Sequence, residues 1–216
     1  MTKICVFDLD GTLINTLENI AGHMNDTLVS YGLSPFPVER YRYFVGNGAR
    51  NLTKQVLEAS GKMTPEFYEE FFSRFIVAYE GAPYAGVAPY DGIFDMIDAL
   101  KAKGIRLAVC SNKPHAAAVA SVENMFPAGI FDDVLGGRDG VPLKPAPDAV
   151  LALLEKYGVS REEAAFVGDS DVDMKTAVAA GIRGFGALWG FRTADELSAA
   201  GATALLAHPT ELLDKI

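Results

Sequence analysis

The sequence predicts an α/β fold: a parallel sheet covered by helices on both faces, with one all-helical insertion after the first strand. Three observations carry this. From Asp91 onward, short apolar runs alternate with amphipathic stretches, the pattern of strands joined by crossover helices. Residues 14–81, directly after the first apolar run, carry helical patterns and no strand. Several apolar runs end in polar clusters rich in Asp, Ser, Asn and Lys, as expected where a ligand sits at the carboxyl edge of an open parallel sheet.

The first strand is Ile4-Cys5-Val6-Phe7, apolar throughout and so buried on both faces. A helix over 16–31 follows, ended by Gly32, with Leu17, Ile20, Met24, Leu28 and Tyr31 forming a packing stripe. Pro35 and Pro37 break the chain, and helices are expected over 38–44, 49–60 and 65–79. Glycines and prolines cluster over 81–89. Residues 14–81 therefore read as one inserted module, and 1–13 with 82–216 as the body that holds it. The body continues with a helix over 91–103 ending at Gly104, a strand over 105–110, and a helix over 114–125 with Pro114 in its first turn. A short strand is expected at 134–135, then a helix over 147–157 ending at Gly158. Ser160 and Glu163 have capping-box spacing. Strand 164–168, helix 171–180, strand 183–188, helix 193–200 and strand 203–206 complete the run. Right-handed crossovers put every strand-to-helix loop on one edge, which gathers Asp8, Ser111 and Asp169.

Composition narrows the partners. Half of the 216 residues are apolar, enough for a sizeable core. The net charge of −9, with no basic stripe, argues against nucleic acid. No apolar run approaches the roughly 18 residues of a membrane span. Met1-Thr2-Lys3 leads straight into a strand, so no signal peptide is expected. The two cysteines, Cys5 and Cys110, lie in expected core strands, which suits a reduced, cytoplasmic protein. His23, His115 and His208 do not have the spacing of a zinc site and read as surface or packing residues.

The chemistry is concentrated in four segments. Asp8-Leu9-Asp10-Gly11-Thr12 places two carboxylates two residues apart at a strand end, where they point the same way if the strand stays extended. Thr12 then offers a hydroxyl and an amide to an anion. One carboxylate can attack phosphorus, one can move a proton, and together they can hold a divalent cation. Alone, such a pair could equally be a solvated turn. Leu107–Cys110 runs into Ser111-Asn112-Lys113, Lys144 stands before Pro145-Ala146-Pro147, and Ala165–Gly168 runs into Asp169-Ser170-Asp171-Val172-Asp173. Asp8, Asp10, Asp169, Asp171 and Asp173 would repel one another without a cation, and Mg²⁺ suits oxygen ligands.

With these four segments in this order, the chain resembles the haloacid dehalogenase superfamily from Asp8 to Asp173 and, with the closing strands, over nearly its whole length. The resemblance implies a Rossmann-like core and a small helical cap that closes over the site. It implies that Asp8 attacks phosphorus to form an aspartyl-phosphate. Asp10 would protonate the leaving oxygen and then deprotonate water. Ser111 would bind the transferring phosphoryl group, and Lys144 would neutralise it. Mg²⁺ would be held by Asp8 and Asp169, by the Asp10 carbonyl, and by Asp173 through water. Asp171 has no such match and reads as a helix-start residue. Asn112 and Lys113 could face the phosphate or the cap, or simply start a helix.

Within the insertion, Val45-Gly46-Asn47-Gly48-Ala49-Arg50 is the segment expected to reach the substrate. Gly46 and Gly48 would expose amides beside Asn47, and Arg50 could clamp a carboxylate, though the same residues also make an ordinary turn. This run, with Ser-Asn-Lys-Pro-His, resembles the phosphoglycolate phosphatase branch of the family. The expected reaction is Mg²⁺-dependent hydrolysis of a small phosphate monoester, first 2-phosphoglycolate, by a monomer or homodimer. Alternatives are a β-phosphoglucomutase-like transferase, a pyrophosphatase or nucleotidase, and a catalytically idle phosphate-binding protein. Asn15 stands where the family often has an acidic residue.

Overall fold

The computed structural model describes every residue except Pro83. Six strands make the central sheet: β1 (Ile4–Phe7), β4 (Arg106–Pro114), β5 (Asp133–Gly137), β6 (Ala164–Gly168), β7 (Arg183–Ala187) and β8 (Ala204–Leu206). All neighbours are parallel, in the order β5-β4-β1-β6-β7-β8. β1 lies in the middle, between β4 and β6, so its carboxyl end is flanked by two other strand ends that carry polar residues.

Period-two alternation divides the strand residues between two cores. Cys5, Phe7, Leu107, Val109, Ala165 and Val167 pack on one face with Ile93, Met96, Ile97 and Leu100 of α5 (Ile93–Ala102) and Ala118 and Val122 of α6 (His115–Met125). Ile4, Val6, Ala108, Cys110, Ala164 and Phe166 pack on the other. Their partners are Val150, Leu153 and Leu154 of α7 (Asp148–Tyr157) and Ala177 and Ala180 of α8 (Asp171–Ala180). Burial on both faces is why these strands read as unbroken apolar runs. It also pushes the Cys5 thiol up to about 12 and Cys110 to about 11, so both are packing groups and not nucleophiles.

The helical segments between β1 and α5 are α1 (Leu17–Ser30), a 3₁₀ turn over Val38–Arg40, α2 (Tyr41–Phe44), α3 (Gly48–Ala59) and α4 (Pro65–Gly81). Thr64 caps α4 by accepting from the Phe67 amide at 3.3 Å, with Pro65 at the first helical position. These helices share their own apolar cluster, which includes Met24, Tyr41, Phe71 and Phe75 and takes in Ala117 and Phe191 from the sheet side.

Two sequence expectations need correction. Residues 14–81 are not free of strand: β2 (Ile14–Asn15) pairs antiparallel with β3 (Ala88–Pro89), Ile14 opposite Pro89 and Asn15 opposite Ala88. Two residues are too short to carry a periodicity, so the ribbon left no signal. β4 does not stop at residue 110 but runs to Pro114, with a shift of register against β5 between Cys110 and Pro114. Ser111-Asn112-Lys113 is thus an irregular strand segment, not a loop. The Ser160–Glu163 box caps only a 3₁₀ turn over Arg161–Glu163, and a further 3₁₀ turn over Pro209–Asp214 follows α9 (Ala194–Ala199) and β8, burying Leu212. No described helix is long and apolar enough to cross a membrane.

Candidate active site

Asp8 follows β1 directly, its amide donating to the Val167 carbonyl at 2.9 Å. The chain then turns on Leu9, whose carbonyl accepts from Thr12, Leu13 and Ile14 amides. Gly11 takes φ +88°, and a Cβ there would lie 2.4 Å from Asp169 Oδ2, so the turn needs glycine twice over. This brings Asp8 beside the polar ends of β6 and β4.

Asp8, Asp169 and Asp173 are buried, and one carboxylate oxygen of each lies within 4.8 Å of the others. Asp169 accepts from the Thr12 hydroxyl at 2.9 Å and the Phe191 amide at 2.8 Å. Asp173 accepts from the Ser170 amide at 3.0 Å and hydroxyl at 2.6 Å, a capping arrangement at the start of α8. Burial, then the neighbouring charges of Asp173 and Asp8, pushes Asp169 up to about 8. Burial and Asp173 push Asp8 up to about 7, against the pull of Lys144.

Lys144 Nζ lies 2.6 Å from Asp173 Oδ1 and 2.9 Å from Asp8 Oδ1. Its ammonium is held well above the usual lysine range because these carboxylates outweigh burial. The Asp8 contact is a close ion pair without hydrogen-bond alignment, so Asp8 Oδ1 is a buried oxygen with no hydrogen bond. Asn112 sets the Lys144 loop: its amide donates to the Lys144 carbonyl at 2.9 Å and accepts from the Lys144 amide at 2.8 Å. The same amide donates to the Gly46 carbonyl at 3.0 Å, tying the helical segment to the sheet. Ser111 Oγ accepts from the Lys113 amide at 3.3 Å.

On the opposite side, Lys113 Nζ lies 3.0 Å from Asp10 Oδ1 and bonds the Tyr79 hydroxyl. Asp10 and Tyr79 raise the Lys113 ammonium against the burial that lowers it, and burial pushes the Tyr79 hydroxyl up to about 12. The Asp10 carboxylate therefore faces Lys113 and lies outside the three-carboxylate cluster.

The four carboxylates Asp8, Asp10, Asp169 and Asp173 face two ammonium groups, Lys144 and Lys113. With the Asp10–Lys113 pair set aside, Asp8, Asp169 and Asp173 surround one ammonium, Lys144, so when ionised they leave two negative charges, which one divalent cation balances. The hydrogen-bond-free Asp8 oxygen, the all-oxygen donor set and this charge fit Mg²⁺.

A cavity open to solvent covers these groups. Asp8, Asp10, Ser111, Asn112, Lys113 and Asp169 line it from the sheet. Ile20, Val45, Gly46, Gly48, Ala49, Leu52, Phe75 and Tyr79 line it from the helices. Lys144 and Asp173 support the floor from behind Asp8.

Some expected site residues are elsewhere. The Thr12 hydroxyl is spent on Asp169 and its amide on Leu9, so it orients a carboxylate and does not receive an anion. Arg50 lies on the exposed side of α3, 3.2 Å from Glu69 and stacked 4.3 Å from the Phe72 ring centroid. Asn47 precedes α3 but does not line the cavity. Asp171 begins α8. His23 packs edge-on to Tyr79, His115 contacts Arg138, and His208 accepts from the Thr210 amide.

Sequence reasoning missed the segment after β7. Trp189 Nε1 donates to the Thr12 carbonyl at 2.9 Å. Gly190 touches Asp169, where a Cβ would lie 2.2 Å from the Asp169 Cβ. Arg42 donates to the Gly190 carbonyl at 2.9 Å, while buried Arg192 donates to the Arg42 carbonyl and, at 3.0 Å, to the Val45 carbonyl. The Trp-Gly-Phe-Arg string between a strand and a helix was the one available signal.

With this geometry, comparison with known proteins is decisive. The family model described as haloacid dehalogenase-like hydrolase matches residues 5–187. The chain belongs to this family. This haloacid dehalogenase-like hydrolase is 37% identical over 187 residues to a phosphoglycolate phosphatase of Rhodospirillum rubrum, covering 84% of this chain and 78% of that one. It is 35% identical to a phosphoglycolate phosphatase of Aquifex aeolicus, covering 88% and 86%. Among solved structures, a predicted phosphoglycolate phosphatase from Haemophilus somnus superposes with a TM-score of 0.92 at 26% identity, covering 99% and 97%. CbbY from Rhodobacter sphaeroides, solved in complex with phosphate, gives 0.81 at 27% identity, covering 98% and 96%. The chain is a phosphomonoester hydrolase with an α/β core.

Proposed function

We propose that this enzyme hydrolyses a small phosphate monoester, with 2-phosphoglycolate the leading substrate, by a Mg²⁺-dependent route through an aspartyl-phosphate on Asp8. The observation that carries the reading is the Asp8 carboxylate. It lines the cavity, with one oxygen 2.9 Å from Lys144 Nζ and a second carboxylate two residues away. The relatives named phosphoglycolate phosphatase support the substrate.

Asp8, Asp169 and Asp173, with the Asp10 carbonyl, would hold the cation. When bound, it supplies positive charge that lets an anionic nucleophile approach an anionic ester. An Asp8 oxygen attacks phosphorus and the ester P–O bond breaks. The Asp10 carboxylic acid gives its proton to the leaving oxygen. Asp10, now a carboxylate, takes a proton from water as the water oxygen attacks the phosphorus of the aspartyl-phosphate. The Asp8–phosphorus bond then breaks, inorganic phosphate leaves, and both side chains return to their starting states. Ser111 donates to a phosphoryl oxygen. Lys144 neutralises charge building on phosphoryl oxygens and steers Asp8.

Residues 14–81 act as a cap domain on a core of 1–13 and 82–216. Its apolar wall, with Leu52 and Phe75, would exclude bulk water from the reacting groups. A covered site favours a small metabolite. Phosphate release is to be measured from 2-phosphoglycolate, sugar phosphates, nucleotides and pyrophosphate, with Mg²⁺ and with chelator. Native protein should release phosphate only with Mg²⁺, fastest from 2-phosphoglycolate. Asp8→Asn should lose roughly 10³-fold or more. Equal activity in chelator, or an active Asp8→Asn, would overturn the mechanism; a preference for another ester would overturn the substrate.

A further inference from the structure

We propose that Lys113 seats a carboxylate on the leaving group, making the enzyme selective for phosphate esters of short hydroxy acids. This rests on the phosphatase reading above and adds the residue that reads the rest of the substrate.

Among the described residues, Lys113 is the only cationic side chain lining the cavity. Lys144 sits behind Asp8, held by Asp8 and Asp173. The arginines nearest in sequence to the cavity wall are engaged elsewhere: Arg50 with Glu69 on the outside, Arg42 and Arg192 with backbone carbonyls. A second anion entering this cavity therefore finds one ammonium.

That ammonium is buried at the cavity floor but still has a proton to give. An ammonium has three protons to donate. Among the described residues Nζ bonds two groups, the Asp10 carboxylate at 3.0 Å and the Tyr79 hydroxyl, which leaves one proton. The position also fits the chemistry. To protonate the leaving oxygen, Asp10 must lie within hydrogen-bond reach of it. Lys113 touches the same carboxylate, so a charged group one carbon beyond the leaving oxygen falls beside Nζ. In a hydroxy-acid phosphate that group is the carboxylate. Ile20, Val45, Leu52 and Phe75 make the facing wall apolar, which strengthens a charged contact and offers a neutral polar tail little in return. Tyr79 fixes Nζ from the helical side, so the seat is complete when helices and sheet are together.

The test compares kcat/KM for 2-phosphoglycolate with that for its neutral amide, the phosphate ester of glycolamide. Native enzyme, Lys113→Gln and Lys113→Arg are measured with Mg²⁺ saturating, and folding is checked by melting. A charge-assisted hydrogen bond should make the native enzyme prefer the acid by roughly 10- to 100-fold. Lys113→Gln loses activity on both esters because Asp10 loses its partner, but the acid-over-amide preference collapses towards one. Lys113→Arg keeps part of it. A native enzyme that treats acid and amide alike overturns the seat without any variant, so an unfolded variant cannot shield it. Equal losses on both esters, with the preference intact, also overturn it and leave Lys113 serving Asp10 alone. Brisk hydrolysis of 2-phosphoglycolate with either result preserves the phosphatase reading. Hydrolysis of the amide and other monoesters but not of 2-phosphoglycolate removes both the substrate and the seat.

Discussion

The acidic cluster makes a counter-intuitive prediction: without a cation, the protein loses stability as pH rises through neutrality. Asp8 moves from an ordinary 3.8 to about 7 on folding, mainly through burial. Between those values the folded state holds a proton that the unfolded chain has released. Stability therefore falls as pH rises across the window and levels off above the folded value. The change is roughly a thousandfold in proton affinity, a ceiling of about 4 kcal/mol. The ceiling is not reached, because Asp8 opens onto a solvent-connected cavity. Even half of it would lower Tm by roughly 4–8 °C for a domain of this size. Asp169, raised to about 8, adds in the same direction.

Other groups do not confuse the sign between pH 5 and 8.5. Asp133, Glu162, Glu163 and Glu196 are lowered, so their stabilisation is already present at pH 5 and is lost only in stronger acid. Lys113 and Lys144 are raised, and their contribution fades only in strong alkali. His115 is lowered and works oppositely near pH 6.5, but it is partly exposed at the surface, where water screens it. Differential scanning calorimetry in chelator should show Tm falling by several degrees from pH 5 to 8.5. Mg²⁺ should restore more at pH 8.5 than at pH 5, because it binds the ionised carboxylates. Asp8→Asn should make the chelator curve shallower, with Asp169 supplying the slope that remains. A Tm in chelator that holds level or rises over this range would refute the reasoning.

Three further outcomes follow from the same geometry. Gly190→Ala puts a methyl group 2.2 Å from the Asp169 Cβ and 2.5 Å from the Gly11 carbonyl oxygen, so Asp169 must shift. Mg²⁺ affinity measured by titration calorimetry should drop, with about 1–3 kcal/mol of stability lost. Arg192→Ala strips the donors from the Arg42 and Val45 carbonyls and should cost about 2 kcal/mol in urea unfolding, with kcat/KM reduced. Arg50→Ala should leave KM for 2-phosphoglycolate within about twofold and cost under 1 kcal/mol, since its ion pair with Glu69 is exposed.

The α/β fold was legible because β1, β4 and β6 are buried on both faces and α5 and α7, which lie between them, run out at Gly104 and Gly158. The topology rule then gathered Asp8, Ser111 and Asp169, and all three line the cavity. What sequence could not supply was the partner of each side chain. Thr12 looked free to bind an anion, but Asp169, 157 residues away, takes its hydroxyl. Arg50 looked like a clamp, yet Glu69 and Phe72 on α4 hold it outside. Gly190 and Arg192 carry no recognisable motif spacing, and their work depends on backbone atoms of Gly11, Arg42 and Val45 that no pattern of residue types reveals. Tyr79 read as one more aromatic in a helix, while in space it meets Lys113.

The short ribbon of β2 and β3 has one more consequence. It carries the chain out to the helices and back at a single place, Ile14 beside Pro89 and Asn15 beside Ala88. To the sheet, residues 16–87 are the tip of a hairpin. Lengthening, shortening or exchanging that tip leaves the register of every central strand untouched, because no strand of the six lies within it. Gene-level exchange of this one interval between relatives would thus carry a change of wall without a change of floor.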